Sequence, residues 1–134
     1  MIEGSVSVST KENIWIDDNV GVVDDPQKNP ASNQYLGLCA EKKIIITDNL
    51  PNSSECEITA AIYAGDKLEA ENYKSRPPGG KLKIFGSRTQ KRAGFIGSGK
   101  SGFVSENVFD ERFYKQAPPH YPLTDRMQIL SWWE

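Results

Sequence analysis

The string GFIGSGKS, from Gly94 to Ser101, is the stretch of this 134-residue chain that comes closest to a catalytic motif. It fits the pattern G-x-x-x-x-G-K-[ST], in which backbone amides and a lysine hold phosphate groups. Such a loop needs a buried strand before its first glycine and a helix beginning near its lysine. Here the polar SRTQKRA comes first, and a β-branched, aromatic stretch follows. We therefore interpret the string, with Gly94, Gly99, Lys100 and Ser101, as a glycine-rich surface loop and predict no cofactor.

Two acidic pairs are the next candidates, as ligands for a hard cation such as calcium. Asp17 and Asp18 end a predicted strand, and Asp24 and Asp25 lie in a predicted loop. Calcium needs several such oxygens converging on one point. Polysaccharide-cleaving β-helices combine acid clusters with calcium and a basic residue. A solvated loop is the favoured interpretation of these pairs, and a metal site is the alternative.

Nucleophiles and bases are scarce. His120 is the single histidine, which excludes a histidine-based metal cluster. Cys39 and Cys56 do not make a disulfide framework, although they could pair in an oxidising compartment. Because Cys39 lies at the end of an apolar strand, we interpret it as a buried free thiol. The sequence therefore predicts no enzymatic active site.

The composition narrows the function further. The 16 basic and 18 acidic residues are interspersed, and the net charge of −2 argues against a nucleic-acid surface. No apolar run approaches the roughly 18 residues of a membrane span. The start, MIEGSVSV, has no signal-peptide pattern and lies almost inside the first strand. We therefore expect a fragment of a longer protein.

The elements that must position these residues are strands, because four stretches repeat one alternating apolar pattern. The copies begin at Val6, Leu36, Ala60 and Leu82. Each later copy therefore starts 30, 24 and then 22 residues after the copy before it. Alternation buries one face of each strand, and a repeated step makes coils stack. The pattern predicts an all-β, single-stranded, right-handed β-helix of three to four coils, with positions 8, 38, 62 and 84 stacked. A β-sandwich, which would break this stacking, is the alternative.

We divide the chain as one domain, 1–134. Stacked β coils occupy 1–86, with a loop insertion at 23–34, and a glycine-rich basic loop occupies 87–102. An aromatic, proline-rich tail over 103–134 is predicted to cap the solenoid, because stacked coils leave an unpaired edge at each end.

One outward patch supports a covering element. Trp15 and Ile45 occupy equivalent outward positions, so stacking would place them side by side on the surface. An apolar patch of that kind favours a cover, which is the tail or a second chain. An ion pair between Asp110 and Arg112 would fix the tail. The predicted interface or cap residues are Trp15, Ile45, Asp110, Arg112, Trp132 and Trp133.

The order of several segments adds a resemblance. GSVSVSTKENIWI, YLGLCAEKKIIIT, EITAAIYA and GGKLKIFGSRTQKRAG are followed by GFVSENVFDERFYKQAPPHYP and the end ILSWWE. In this order the chain resembles an uncharacterised bacterial domain family found in envelope proteins that look like type IV pilus-assembly (PilX-like) components. The resemblance implies a periplasmic or extracellular β-solenoid-like domain of unassigned function. It supplies no catalytic residues.

The predicted function is a non-catalytic structural or interaction module of the bacterial cell envelope, associated with pili, that binds a protein partner or itself. The alternatives are a glycan-binding domain and, after it, a polysaccharide lyase or hydrolase. An enzyme would bring Asp17, Asp24 or Asp25 together with a basic residue in a cleft. A glycan binder would expose Trp15 or the Trp132–Trp133 pair. A structural module would bury these aromatics and leave an open β edge or a flat face.

Overall fold

The computed structural model describes residues 1–119 and Tyr121. In this part of the chain, parallel strands form a β-solenoid of about four turns, which confirms the predicted fold class. The strands are β1 (Val6–Thr10), β2 (Ile14–Ile16), β3 (Leu36–Ala40), β4 (Lys43–Ile46), β5 (Glu55–Ala64), β6 (Lys67–Ala70), β7 (Gly80–Gln90) and β8 (Phe103–Phe109). Two short 3₁₀ helices occupy Tyr73–Ser75 and Glu111–Tyr114.

Two sheets enclose the core. One has five strands in the order β1-β3-β5-β7-β8, and the other has three in the order β2-β4-β6. Because side chains alternate along a strand, every second residue points inwards, and these inner residues are aliphatic. Ile44, Ile62 and Leu68 are completely buried between the sheets. The core thus consists of stacked rows of aliphatic side chains.

The predicted register of the first three coils is confirmed. Val8 pairs with Leu38, and Leu38 pairs with Ile62. In the smaller sheet, Trp15 pairs with Ile45. This continuous parallel stacking rules out the β-sandwich alternative for the described residues.

The fourth coil is displaced from its predicted register. Leu82 pairs with Cys56 and Ile84 with Ile58, a step of 26 (82 − 56) instead of 22. Steps of 22 and 26 have the same parity, so alternation does not distinguish them. The close approach of two strands does distinguish the two registers. A Cβ added at Gly86 would lie 1.9 Å from the carbonyl oxygen of its partner Ala60. A glycine is required there.

Two segments predicted as loop and tail are strands. β7 continues to Gln90, so the loop predicted over 87–102 begins only at residue 91. The side chain of Gln90 accepts a hydrogen bond from the backbone N–H of Leu68 (2.9 Å) and so binds the edge of β6. β8, predicted as the beginning of the capping tail, is instead a strand of the larger sheet. Polar residues can form strand β8 because β8 is the terminal strand of the stack.

After β8, the described part of the tail lies against the outer face of the larger sheet at Pro118 and Tyr121. Small residues form a row across this face: Ser7, Gly37, Ala61 and Ser87. A Cβ added at Gly37 would lie 2.9 Å from Tyr121 and 3.0 Å from Pro118. The row therefore makes room for the tail. His120, Trp132 and Trp133 lie outside the described residues, so the predicted cap residues 132 and 133 stay a prediction.

Candidate functional site

The N-terminal end of the solenoid has an open edge. β1 and β2 are the terminal strands of the two sheets, and no strand in the described part of the chain pairs with their outer edges. Val6 and Val8 point towards the core, in register with buried Leu36 and Leu38. They are nevertheless 37% and 42% exposed, because no strand among residues 1–119 stacks beneath them. An uncharged edge strand with an apolar row is a template for pairing with another chain.

On the terminal strand of the C-terminal end, the exposed valines Val104 and Val108 lie on the outer face, and two core-side positions are polar. On β8, Ser105 and Asn107 occupy the core-side positions above Leu82 and Ile84. The amide of Asn107 donates a hydrogen bond to the hydroxyl of Ser105 (2.8 Å). A solenoid whose last coil presents polar side chains can meet water at that end.

A buried ion pair fastens the segment after β8. The guanidinium of Arg112 contacts the carboxylate of Asp110 through Nη2 (2.7 Å) and Nε (3.0 Å), and Asp110 is only 3% exposed. Arg112 also donates to the carbonyl oxygens of Ser32 (2.9 Å) and Gln34 (2.8 Å), and its guanidinium lies 4.2 Å from the centre of the Tyr35 ring. The pair predicted from the sequence thus joins the C-terminal segment to the end of the loop insertion.

Arg76 is a second buried arginine, and its role was not predicted from the sequence. It donates to the backbone carbonyls of Glu71 (2.8 Å), Asn52 (3.1 Å) and Ile46 (3.1 Å). Its guanidinium lies 4.8 Å from the centre of the Phe103 ring. These bonds tie the third coil to the second. The only signal in the sequence is an arginine before two prolines, which predicts a turn and no more.

The outer face of the smaller sheet carries a groove. Trp15, Ile45 and Glu69 form one row across β2, β4 and β6. Residues 71–75 form the opposite wall, and the groove encloses about 460 Å³. Trp15 is 51% exposed, whereas Ile45 is buried. The structure therefore places these two residues side by side, as the register predicted, but leaves half of the tryptophan accessible.

The two acidic pairs serve separate turns. Asp17 accepts a hydrogen bond from the hydroxyl of Thr47, and Asp18 accepts one from the next backbone N–H. Asp24 accepts bonds from the Asn29 amide, and Asp25 caps the following turn. Within the described residues, no group of three or more His, Cys, Asp or Glu side chains is spaced to hold a metal ion. The carboxylates are used as turn formers.

The glycine-rich string lies where β6 needs a close neighbour. A Cβ added at Gly94 would lie 1.8 Å from the carbonyl oxygen of Leu68, so Gly94 packs directly on the β6 backbone. Gly97 and Gly102 then form an antiparallel bridge, which closes a tight hairpin with exposed Gly99 and Lys100 at its tip. Ser101 bonds Ser98 within the hairpin. The segment leads into strand β8, whereas a phosphate loop leads into a helix.

The two cysteines are free and lie on opposite faces of the larger sheet. Cys56 is fully buried in the core, and desolvation, with a smaller effect of the Asp18 charge, raises the pKa of its thiol to about 12. Cys39 is half-buried on the outer face, and its thiol pKa is raised mainly by the same desolvation. The buried thiol is therefore Cys56, not Cys39 as predicted.

The described residues contain no helix that is long and apolar enough to cross a membrane. A comparison of the chain with known protein families, curated proteins and solved structures finds no match.

Proposed function

We propose that this chain is a non-catalytic structural and interaction module of the bacterial cell envelope, associated with pili, and that it docks a second copy of itself through the N-terminal end of the solenoid. The observation that carries the proposal is the exposure of Val6 and Val8 at the open edge of β1. Adding a strand there would satisfy backbone groups and cover both valines.

A second copy suits this end because the pairing is self-complementary. A two-fold axis would place β1 antiparallel to its symmetry mate, with one valine row facing the other. The sequence VSVST carries no charge that would oppose this contact. Head-to-tail stacking would instead bury the polar Ser105 and Asn107 against the valines, which is costly. A closed dimer is therefore favoured over a filament.

The role in the envelope has different support. It comes from the ordered segments that resemble the PilX-like envelope family. The non-catalytic role is supported by the acidic pairs, because each is engaged in its own turn. An antibody against this domain should detect it in the envelope fraction of the producing bacterium. Recovery in the cytoplasmic fraction would contradict the proposed location.

Analytical ultracentrifugation tests the docking. The wild-type chain should change from monomer to dimer as its concentration is raised towards about 1 mM, the range of weak specific complexes. Val8→Lys places a charge in the valine row and should keep the chain monomeric. Asn107→Lys, at a core-side position of the terminal strand at the other end, is the control and should dimerise like the wild type. A wild-type chain that stays monomeric, or a Val8→Lys chain that dimerises equally, would contradict self-docking.

A further inference from the structure

The groove on the outer face of the smaller sheet has the features of a ligand site. We propose that it binds a neutral oligosaccharide, with Trp15 as the surface on which a sugar ring packs. This goes beyond the self-docking proposed above, because the groove lies on the face of the sheet and not on its open edge.

The apolar part of the site is Trp15 and its neighbour Ile45. The indole is 51% exposed, and Ile45 beside it is 7% exposed, so the aromatic surface continues into an aliphatic one. One face of a pyranose ring presents C–H groups with partial positive charge, which pack well on the electron-rich face of an indole. An exposed tryptophan next to polar groups thus suits a sugar better than a purely apolar ligand.

The carboxylate at the far end of the row is already paired with lysines. Glu69 contacts the ammonium groups of Lys43 (3.2 Å) and Lys67 (3.6 Å) on the same outer face. A carboxylate held between two lysines can still accept hydrogen bonds from hydroxyl groups. Because its charge is compensated, it does not select a cationic ligand. A ligand rich in hydroxyls therefore suits this end better than a cation does, and the Glu69 and Glu71 carboxylates in the lining disfavour an anion.

The opposite wall supplies further polar atoms. Glu71 accepts a hydrogen bond from the Asp48 backbone N–H through Oε1 (3.0 Å), which leaves Oε2 for a ligand. Lys74 forms no ion pair in the described part of the chain, so its ammonium group can donate to a hydroxyl. Tyr73 stacks on Phe95 with a centroid distance of 5.3 Å, which stiffens this wall. Hydroxyl groups, which both donate and accept, suit this mixed lining.

The dimensions fit a short oligosaccharide. The row of Trp15, Ile45 and Glu69 crosses three strands, which is a length of about 10 Å at the usual spacing of strands. A groove of about 460 Å³ along this row has room for a disaccharide.

Isothermal titration calorimetry with cellotriose, maltotriose and chitotriose tests the site. We expect at least one of them to bind the wild-type chain, and Trp15→Ala to weaken that binding about tenfold or more, as for the loss of an anchor residue. Tyr114→Ala is the matched control, because Tyr114 is 58% exposed but lies outside the groove, and it should leave binding unchanged. Circular dichroism checks that each variant is folded.

A Trp132→Ala/Trp133→Ala variant is titrated in parallel, because the sequence also predicts that these tryptophans cover the Trp15 patch. The proposal is supported if the wild type or the Trp132→Ala/Trp133→Ala variant binds a sugar and the Trp15→Ala change abolishes that binding. Absence of binding in both overturns it, and so does binding that Trp15→Ala leaves intact. Val8→Lys should retain sugar binding, which separates this site from the docking edge.

Discussion

On the terminal strand at the N-terminal end of the solenoid, Val6 and Val8 face the core, whereas on the terminal strand at the C-terminal end Ser105 and Asn107 do. Both ends belong to the same five-stranded sheet and follow the same alternation. The valines are more than one third exposed, and the polar pair is bonded internally. The same backbone geometry therefore gives a C-terminal end whose polar side chains are compatible with solvent, and an N-terminal end whose exposed valines would be stabilised by a covering partner.

The ends also differ in how they are fastened. Near the C-terminal end, Arg112 and Asp110 form a buried ion pair, with side chains 12% and 4% exposed. In the first coil, Glu12 pairs with Lys42, and both side chains are at least 60% exposed. Buried pairs resist disruption because removing one partner strands a charge, whereas exposed pairs contribute little. The buried pair therefore locks the segment after β8 onto the end of the loop insertion, whereas the exposed pair contributes little to the first coil.

The largest effect should come from breaking the lock. Arg112→Met keeps the aliphatic stem but leaves the Asp110 carboxylate buried without its partner, and should lower the free energy of unfolding by about 3–5 kcal/mol. Lys42→Met, the matched change at the exposed pair, should cost no more than about 0.5 kcal/mol. Urea unfolding measures both. Equal losses in the two variants would show that the ends are fastened alike.

A smaller effect should report how open the valine row is. Val22, in the first coil, is 3% exposed, and Val22→Ala should cost about 2 kcal/mol through lost burial and a cavity. Val8→Ala makes the same change at a site 42% exposed, and should cost less than about 1 kcal/mol in dilute protein. The difference between the losses of stability in Val22→Ala and Val8→Ala should become smaller at high protein concentration if a second copy covers Val8. A Val8→Ala loss equal to that of Val22→Ala in dilute protein would contradict an open end.

Alternation predicted the first three coils because the apolar residues of each strand are nearly unbroken. It failed at the fourth, where a step of four residues preserves the alternation and only packing selects the register. Gly86 over Ala60 carries that information, since no other residue fits there. Sequence spacing alone does not reveal such a contact.

The candidate sites were predictable to different degrees. Register brought Trp15 beside Ile45, and short spacing brought Asp110 beside Arg112. Arg76 could not be found in this way, because its partners are three backbone carbonyls in two coils, which leave no mark in the sequence. The exposure of Val6 and Val8 depends on what lies beneath the first coil, and that is decided by stacking, not by pattern.

The smallest effect tests whether the open end lets water into the core. Cys56 lies in the third coil, and its thiol pKa is raised from 9.0 to about 12 by desolvation. Above pH 9 the unfolded chain therefore loses the thiol proton while the folded chain keeps it, so stability falls as pH rises between 9 and about 12. At pH 10 the loss should be about 1.4 kcal/mol relative to pH 8, because pH 10 lies one unit above the thiol pKa of the unfolded chain.

Cys56→Ala removes the titrating group, so its free energy of unfolding should depend less on pH over this range. Comparing the two pH profiles by urea unfolding cancels the contribution of every other group, including Tyr121, whose phenol pKa is also raised by burial. Identical profiles would mean that the Cys56 thiol ionises in the folded chain as it does in water. Water would then reach the core past the first coil, and the effect of the open N-terminal end would extend to the third coil. If the free energy of unfolding of the wild type falls more steeply with pH than that of Cys56→Ala, the core at Cys56 is dry. The effect of the open end is then limited to the first coil, where the docking edge lies.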